Sequence, residues 1–169
     1  MEKLMKRWTR AVAVVALTCM IVLGGCYGTK LCVQAKSNDL RYAGLRDTLN
    51  AIPLQPESTG DAEIDAFLDM LLAQITTPEM DTHDKLKACY DYLIHHTVYG
   101  VSNNAAYYWL MGQAGAGYGC LVEGMGVCDD YSAAFSILAR RIGVPIYTTG
   151  GMTHKSGGGY TPHAWCEYI

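Results

Sequence analysis

The stretch from Gly124 to Ile142 most constrains how this chain can fold, because it joins a glycine-rich turn directly to a helical pattern. Glycines at 124 and 126 let the backbone turn tightly and approach a neighbour closely. The apolar residues that follow are spaced by four, three and four, which predicts a helix buried along one stripe, made of Tyr131, Phe135, Leu138 and Ile142. Gly143 and Pro145 end this helix. Cys128 therefore lies at a loop-to-helix junction, near a helix N-terminus.

That position makes Cys128 a candidate nucleophile. Free backbone N–H groups and the positive end of the helix dipole stabilise a thiolate over a thiol. The alternative is a buried structural cysteine or half of a disulfide, since exported proteins use disulfides. Among the seven cysteines of the chain, Cys89, Cys120 and Cys166 could pair among themselves, and the sequence leaves the connectivity open.

Two strands are predicted after this helix. Val144 to Thr149 is β-branched and aromatic, and His163 to Ile169 reads as a second strand. Met152 to Thr161, a polar and glycine-rich connection, lies between them. The two strands pair most simply as an antiparallel hairpin, against which the helix packs.

The second predicted strand carries a histidine. Alternation along a strand puts His163 and Trp165 on one face and Ala164 and Cys166 on the other. The separation of His163 and Cys166 resembles that of zinc ligands, but side chains on opposite faces cannot share one ion. We therefore expect no metal at this strand.

These motifs resemble those of the transglutaminase-like superfamily, which has a papain-like fold. The resemblance covers about half of the chain, from roughly residue 82 to residue 169, with motif order and spacing intact. It implies an α+β fold in which N-terminal helices and a nucleophile-bearing helix pack on an antiparallel sheet. The matching segments are residues 85–100, 118–121, 126–135, 142–145, 150–151 and 163–165.

The resemblance also implies a chemistry. Cys128 would attack a peptide or carboxamide carbonyl, and His163 would hold the thiolate as an ion pair and then protonate the leaving amine or ammonia. The backbone N–H of Cys128 is the first donor to the oxyanion, and an upstream side chain supplies the second. Tyr118, Gln113 and Trp109 are the candidates for that side chain, and the sequence does not rank them.

Aromatic residues are the candidate walls of the cleft. Trp165 and Tyr131 are assigned to it by their positions beside His163 and Cys128. The cluster at residues 107–109 is by default core packing. In the alternative interpretation, this cluster and a flexible glycine-rich loop at residues 112–119 also line the cleft.

The superfamily implies a third catalytic residue, an aspartate on the strand after the histidine strand. The only acid after His163 is Glu167, which lies about 13 Å away along one strand, too far to hydrogen-bond the imidazole. We therefore expect the parent reading frame to continue past Ile169, and the core domain to lack its C-terminal strands here.

The N-terminal residues have the features of an export signal. A basic leader precedes an uncharged apolar run from Ala11 to Leu23. Cleavage before Cys26, in a lipobox-like sequence, would leave a membrane-attached lipoprotein, whereas cleavage after Ala35 would release a secreted protein. An uncleaved anchor is the weaker third option. We expect an extracytoplasmic protein that meets the membrane only through this signal or lipid.

The rest of the chain divides into a helical N-terminal arm at residues 36–80 and a core domain at residues 81–169. Asp61 opens an amphipathic helix in the arm, and Asp81 or Thr82 caps the first helix of the core. The inward stripe of that second helix is predicted to be Leu86, Tyr90 and Leu93.

Charge and histidine placement limit the partners. The net charge is −3 and becomes about −6 without the leader, and no cluster of basic residues interleaves with aromatics, so nucleic acid is not expected. His95 and His96 are adjacent on a helix and cannot chelate one ion together, while His83 and His154 are predicted to face solvent. No cofactor is expected.

Two functions remain open. The first is an exported cysteine-dependent acyl-transfer enzyme, acting as a protease, an amidase or a transglutaminase on a peptide or protein substrate, with cell-wall peptide as one candidate. The second is a non-catalytic envelope module that keeps the fold and uses its cleft to hold peptide or glycan. Thiol reactivity separates the two, because a binding module has no need of an activated cysteine.

Overall fold

The computed structural model describes residues 44–169, so the predicted leader, the lipidation candidate Cys26 and the beginning of the arm lie outside it. Residues 44–50 are helical, and everything discussed below belongs to one unit, Thr48–Ile169. Its elements are α1 Ala62–Ile75, α2 Thr82–His96, β1 Val98–Tyr99, α3 Ala105–Leu110, α4 Gly112–Glu123, β2 Met125–Gly126, α5 Cys128–Ile142, β3 Ile146–His154 and β4 Tyr160–Tyr168.

Helix α5 lies at the centre of this unit. As predicted, it begins near Cys128 and ends at Gly143, which adopts the left-handed conformation at φ 108°. Its burial extends well beyond the predicted stripe, because helices pack on one side of it and the β3–β4 hairpin on the other. Tyr131, Phe135 and Ile142 are only partly buried. The buried positions of α5 are Asp130, Ser132, Ala133, Ala134, Ser136, Ile137, Leu138 and Ala139.

The caps of α1 and α2 confirm the predicted helix starts. The Asp61 side chain accepts from the N–H groups of Glu63 and Ile64, and the Asp81 side chain accepts from the N–H of Asp84. Each cap satisfies donors that would otherwise lack an intrahelical partner. Both helices thus begin where a short acidic side chain precedes the apolar pattern.

Helices α1 and α2 pack with α5 in one apolar core. In α1 the buried residues are Ile64, Leu68 and Leu71. In α2 the predicted stripe is wrong at Tyr90, which is 55 % exposed, while Cys89 is fully buried. The core of α2 therefore runs through Leu86, Cys89 and Leu93, since Cys89 and Leu93 pack in one cluster with residues of α5 and Tyr90 does not.

The glycine-rich segment at residues 112–119 is helical rather than a flexible loop, and this corrects the sequence interpretation. Its glycines serve close packing. A Cβ on Gly117 would lie 2.8 Å from Ala133 C and from Ala134 N, so the α5 backbone occupies the space that a side chain would need. A Cβ on Gly119 would meet the Tyr108 ring at 2.4 Å. Helix α4 therefore fits between α3 and α5 only without side chains at these positions.

Strands β3 and β4 form the predicted antiparallel hairpin, with Gly151 opposite His163 and Thr148 opposite Cys166. Both strands are longer than predicted at the turn end, and only residues 155–159 remain as the connection. Two hydrogen bonds attach the hairpin to α5. The Ser136 hydroxyl donates to Ile146 O at 2.9 Å, and the Cys166 thiol donates to Ser132 O at 3.1 Å.

A second, two-residue sheet lies at the start of α5. Strands β1 and β2 pair in parallel, with Val98 opposite Met125 and Tyr99 opposite Gly126. The residues just before Cys128 are thereby joined to the segment that follows α2. Within residues 44–169, no helix combines the length and hydropathy needed to cross a bilayer.

The close contact at Gly117 predicts that Gly117→Ala destabilises the fold. Alanine improves helix propensity by about 1 kcal/mol, but inserting a methyl group against the α5 backbone costs about 1–3 kcal/mol. We expect a net loss in the free energy of unfolding, measured by urea denaturation. Gln113→Ala, at an exposed position of the same helix, is the matched control and should be neutral or slightly stabilising. A stabilised Gly117→Ala variant would contradict the packing described.

Candidate active site

Cys128 is the first residue of α5. It follows Val127, the N-cap, whose backbone is extended at φ −103° and ψ −173°. The N–H groups of the first helical turn have no intrahelical acceptor, so partial positive charge gathers at this end. The Cys128 side chain is half-buried and so retains access to solvent. These features match the predicted loop-to-helix junction.

The other cysteines of the described chain lie in different surroundings. Cys89, Cys120, Cys128 and Cys166 are all free thiols, so none of the disulfides considered among them is formed. Burial raises the pKa of Cys89 to about 12. Burial, with a contribution from the charge of Asp130, raises the pKa of Cys120 to about 12. Burial also raises the pKa of Cys166. These three thiols stay protonated and inert at neutral pH.

Asp130 organises the turn that precedes Cys128. Its Oδ2 accepts from the Val127 N–H at 2.8 Å, which is the reach of an N3 acid back to the N-cap. Its Oδ1 accepts from the Trp109 indole N–H at 2.6 Å. Asp130 is only 5 % exposed, and both hydrogen bonds are partly buried. Trp109 is thereby held at the N-terminal end of α5.

His163 lies on the exposed face of β4, and Ala164, which is 4 % exposed, faces the core. Ser136 contacts Ile146, which pairs with Tyr168, and Ser132 contacts Cys166. The face of β4 that packs on α5 is therefore the one opposite His163.

The thiol and the imidazole do not touch in this structure. Among the hydrogen bonds of residues 44–169, none joins Cys128 to His163; the His163 ring instead lies beside the Trp165 ring, with centroids 6.4 Å apart. Trp165 covers Gly151, where a Cβ would approach the indole to 2.5 Å. Such a gap is common in cysteine–histidine sites without substrate, where the catalytic hydrogen bonds are often long.

Glu167 is held by other residues of the same exposed face. The Trp165 indole N–H donates to Glu167 Oε1 at 2.8 Å, and the Thr149 hydroxyl donates to Glu167 Oε2 at 3.2 Å. Both carboxylate oxygens therefore have partners other than His163. This agrees with the expectation that Glu167 does not orient the imidazole.

The three oxyanion candidates lie in different places. Trp109 is near the N-terminus of α5, but its N–H is donated to Asp130. The Tyr118 ring packs edge-on against Phe67 at 5.2 Å, and burial, followed by the charges of nearby acids of α1, raises its pKa. Gln113 is exposed in the first turn of α4. Of the three, only Trp109 contacts a residue of the nucleophile turn.

Tyr131, a predicted cleft residue, lies one helical turn after Cys128. Its hydroxyl donates to Thr97 O at 2.7 Å, and its ring stacks on Tyr99 with centroids 6.2 Å apart. Tyr99 is 68 % exposed and was missed in the sequence analysis, because a two-residue parallel strand has no detectable pattern.

Tyr131 also lines an apolar groove of about 290 Å³. Cys166 lies in the same groove and faces α5, whereas the other predicted cleft residue, Trp165, lies on the opposite face of β4. The two predicted cleft residues therefore do not form one wall. The remaining lining residues are Tyr90, Leu93, Ile94, Ser132 and Phe135.

The histidines outside the candidate site have structural contacts. His95 and His96 donate from Nδ1 to the carbonyls of Asp91 and Tyr92, at 2.6 Å and 2.9 Å, in the last turn of α2. The prediction that His83 faces solvent is wrong, since its side chain is only 16 % exposed and lies 3.1 Å from Asp84.

His83 belongs to the one group of metal-ligating atoms found within the described ranges. Oxygen and nitrogen atoms of Asp81, His83 and Asp84 lie within 4.8 Å of one another. Asp81 is already the N-cap of α2 and also accepts from the Asn50 amide at 2.9 Å. Capping and local hydrogen bonds therefore account for this cluster.

Comparison with known proteins identifies the same family as the sequence motifs. The sequence model of the transglutaminase-like superfamily matches residues 69–169, more than half of the chain. The match includes α5 with Cys128 and β4 with His163. No curated protein matches the chain.

The four thiols should react in a fixed order. At neutral pH we expect iodoacetamide to label Cys128 rapidly and to leave Cys89 and Cys120 unmodified, because desolvation raises the pKa of both buried thiols to about 12. Labelling of Cys89 and Cys120 should begin only when the pH rises far above the pKa of an ordinary thiol, or when the protein unfolds. Peptide mass spectrometry gives the site-specific rates, and a Cys128 that reacts no faster than Cys166 would contradict the prediction.

Proposed function

The chain belongs to the transglutaminase-like superfamily, generally a cysteine-dependent acyl-transfer and protease fold, and from this premise we propose a cysteine-dependent acyl-transfer enzyme. Its substrates are peptides or proteins carrying an amide or carboxamide, with cell-wall peptide as one candidate. Cys128 is the nucleophile and His163 carries the proton. No cofactor is required for this chemistry.

The observation that carries the proposal is the difference between Cys128 and the other described thiols. Cys128 is the one described thiol that begins a helix, and it is half-buried, while burial raises the pKa of the other three. A thiolate at a helix N-terminus is stabilised by the dipole and by free N–H groups. Nucleophilic attack requires both features.

The reaction proceeds in two halves. The Cys128 sulfur attacks the carbonyl carbon, and the carbonyl π electrons move to oxygen, which the backbone N–H groups at the start of α5 stabilise. The tetrahedral intermediate collapses as the C–N bond breaks, and the imidazolium of His163 gives its proton to the departing nitrogen. Water or an amine then attacks the thioester, losing a proton to His163 and releasing the Cys128 sulfur. Water gives hydrolysis, and an amine gives transamidation.

His163 must turn from the exposed face of β4 toward the start of α5 for this role. Its ring has no hydrogen bond among the described residues, and its neighbour Trp165 lies to one side at 6.4 Å. Substrate binding would fix the productive orientation.

The second function is a binding module, and one observation favours it. Cys128 and His163 lack a hydrogen bond, whereas the exposed Tyr99, stacked on Tyr131, offers a surface of the kind that holds peptides or glycans. In such a module Cys128 would react with iodoacetamide at the rate of an ordinary exposed thiol. The reactivity of this residue therefore decides between the two functions.

The role of His163 predicts the effect of its replacement. His163→Ala should slow the alkylation of Cys128 at pH 6–7 by about tenfold or more, since the imidazolium no longer stabilises the thiolate. The matched control is His154→Ala, because His154 is also exposed and lies on the same hairpin, beside Tyr160 at the turn end. Circular dichroism checks that both variants fold. Equal rates in the two variants would refute the assignment of His163.

We also propose that the protein acts outside the cytoplasm, on the basis of the basic and apolar leader. Cys26→Ser distinguishes the two modes of processing. If Cys26 carries lipid, the variant should move from the membrane fraction to the soluble fraction. If cleavage follows Ala35, the variant should fractionate as the wild type, with Lys36 at its N-terminus. Full-length, unprocessed protein in the cytoplasm would contradict export.

A further inference from the structure

Asp130 is a buried acid two residues after the candidate nucleophile. A buried carboxylate is costly unless its oxygens are hydrogen-bonded. Here each oxygen has a donor, the Val127 N–H at 2.8 Å and the Trp109 indole N–H at 2.6 Å. The acid thus connects the residue immediately before Cys128 to a side chain of α3. Trp109 and Val127 are 18 positions apart in sequence and belong to no common helix or strand.

Gly126 restricts the same turn from the other side. A Cβ at this position would lie 2.7 Å from Asp130 Cβ and 2.9 Å from Cys120 Sγ, so the backbone presses directly on the acid. Strand pairing with Tyr99 fixes the remaining side of Gly126. Contacts on both sides therefore restrict the backbone that leads into Cys128, and Asp130 makes one of these contacts.

The charge of Asp130 does not favour the reactivity of Cys128, although an acid in the first turn does stabilise a helix. A negative charge in the first turn of α5 opposes formation of a thiolate at Cys128. Replacing Asp130 by asparagine would remove that repulsion and should therefore speed the reaction, if charge were the whole effect. Asparagine, however, has one acceptor oxygen and an NH₂ group that would face the second donor. Loss of one hydrogen bond would release either Val127 or Trp109.

We infer that Asp130 is a positioning residue for Cys128, which fixes the Val127–Cys128 peptide and the Trp109 indole through its two carboxylate oxygens. The inference rests on the proposed function, because it concerns the reactivity of Cys128. The geometric precision that Asp130 provides outweighs the repulsion that its charge causes. Two predictions of opposite sign follow for the neighbouring acids of this turn.

The test compares alkylation rates of Cys128 at pH 7, with iodoacetamide as the probe, in the full chain. Asp130→Asn should slow the reaction by about fivefold, the size expected when the helix N-terminus no longer stabilises the thiolate. The matched control is Asp129→Asn, because Asp129 is exposed and lies in the same helical turn. This control removes the same charge but keeps the hydrogen bonds to Val127 and Trp109, and it should leave the rate unchanged or slightly raised.

A third variant separates positioning from general loss of structure. In Trp109→Phe only one donor is removed, and the Asp130→Asn penalty should be smaller in that background, because the asparagine oxygen can then accept from Val127 with its NH₂ group facing no donor. Buried Cys89 and Cys120 act as internal reporters, since they stay unlabelled while the protein is folded. If Asp130→Asn makes Cys89 and Cys120 accessible to the probe, Trp109→Phe alone tests the positioning role. That variant should slow the alkylation of Cys128 by a few fold.

The outcomes are distinct. An unreactive Cys128 in the wild type would overturn the proposed function and this inference with it. A reactive wild type with an Asp130→Asn variant that is folded and equally fast, or faster, would overturn the inference alone. An equal Asp130→Asn penalty with and without Trp109 would also overturn it, as would an unchanged rate in Trp109→Phe where that variant decides.

Discussion

The burial of α5 is the constraint on which the described structure depends. Ala134, Leu138 and Ala139 of this helix have no exposed surface, and they contact helices on one side and the hairpin on the other. Small residues on both partners permit this closeness, since a Cβ on Gly117 would lie 2.8 Å from the α5 backbone. Because burial of apolar surface supplies most of the favourable free energy of folding, the position of α5 fixes the positions of its neighbours. The fold and the site therefore share one element.

The N-terminus of α5 has to satisfy two opposite requirements. A nucleophile needs access to substrate, whereas a helix buried along its length favours exclusion of water. The structure separates them within three residues, with Cys128 half-buried and Asp130 5 % exposed. The buried carboxylate holds the backbone through Val127, and the thiol beside it stays accessible. A fixed backbone at Val127 and an accessible thiol at Cys128 are thereby combined at the start of one helix.

Local signals were sufficient to predict much of the fold. The caps at Asp61 and Asp81, the end of α5 at Gly143 and the alternation along β4 depend on neighbouring residues, and each is confirmed. Non-local contacts were not predictable. The helical state of residues 112–119 depends on close packing with Ala133, the exposure of Tyr90 depends on the direction from which α5 approaches, and the Asp130–Trp109 hydrogen bond joins residues 21 positions apart. For the site, the position of Cys128 was evident from sequence, but the contacts around it were not.

The central claim is that Cys128 forms a covalent acyl intermediate, and trapping that intermediate tests it most directly. The protein would be incubated briefly with an activated acyl ester such as p-nitrophenyl acetate, quenched in acid and analysed by intact-mass and peptide mass spectrometry. The account predicts one acetyl group, on Cys128, that neutral hydroxylamine removes as expected for a thioester and that Cys128→Ser loses or makes resistant to hydroxylamine. Acetylation confined to lysines, or equal acetylation of Cys128 and Cys166, would contradict it.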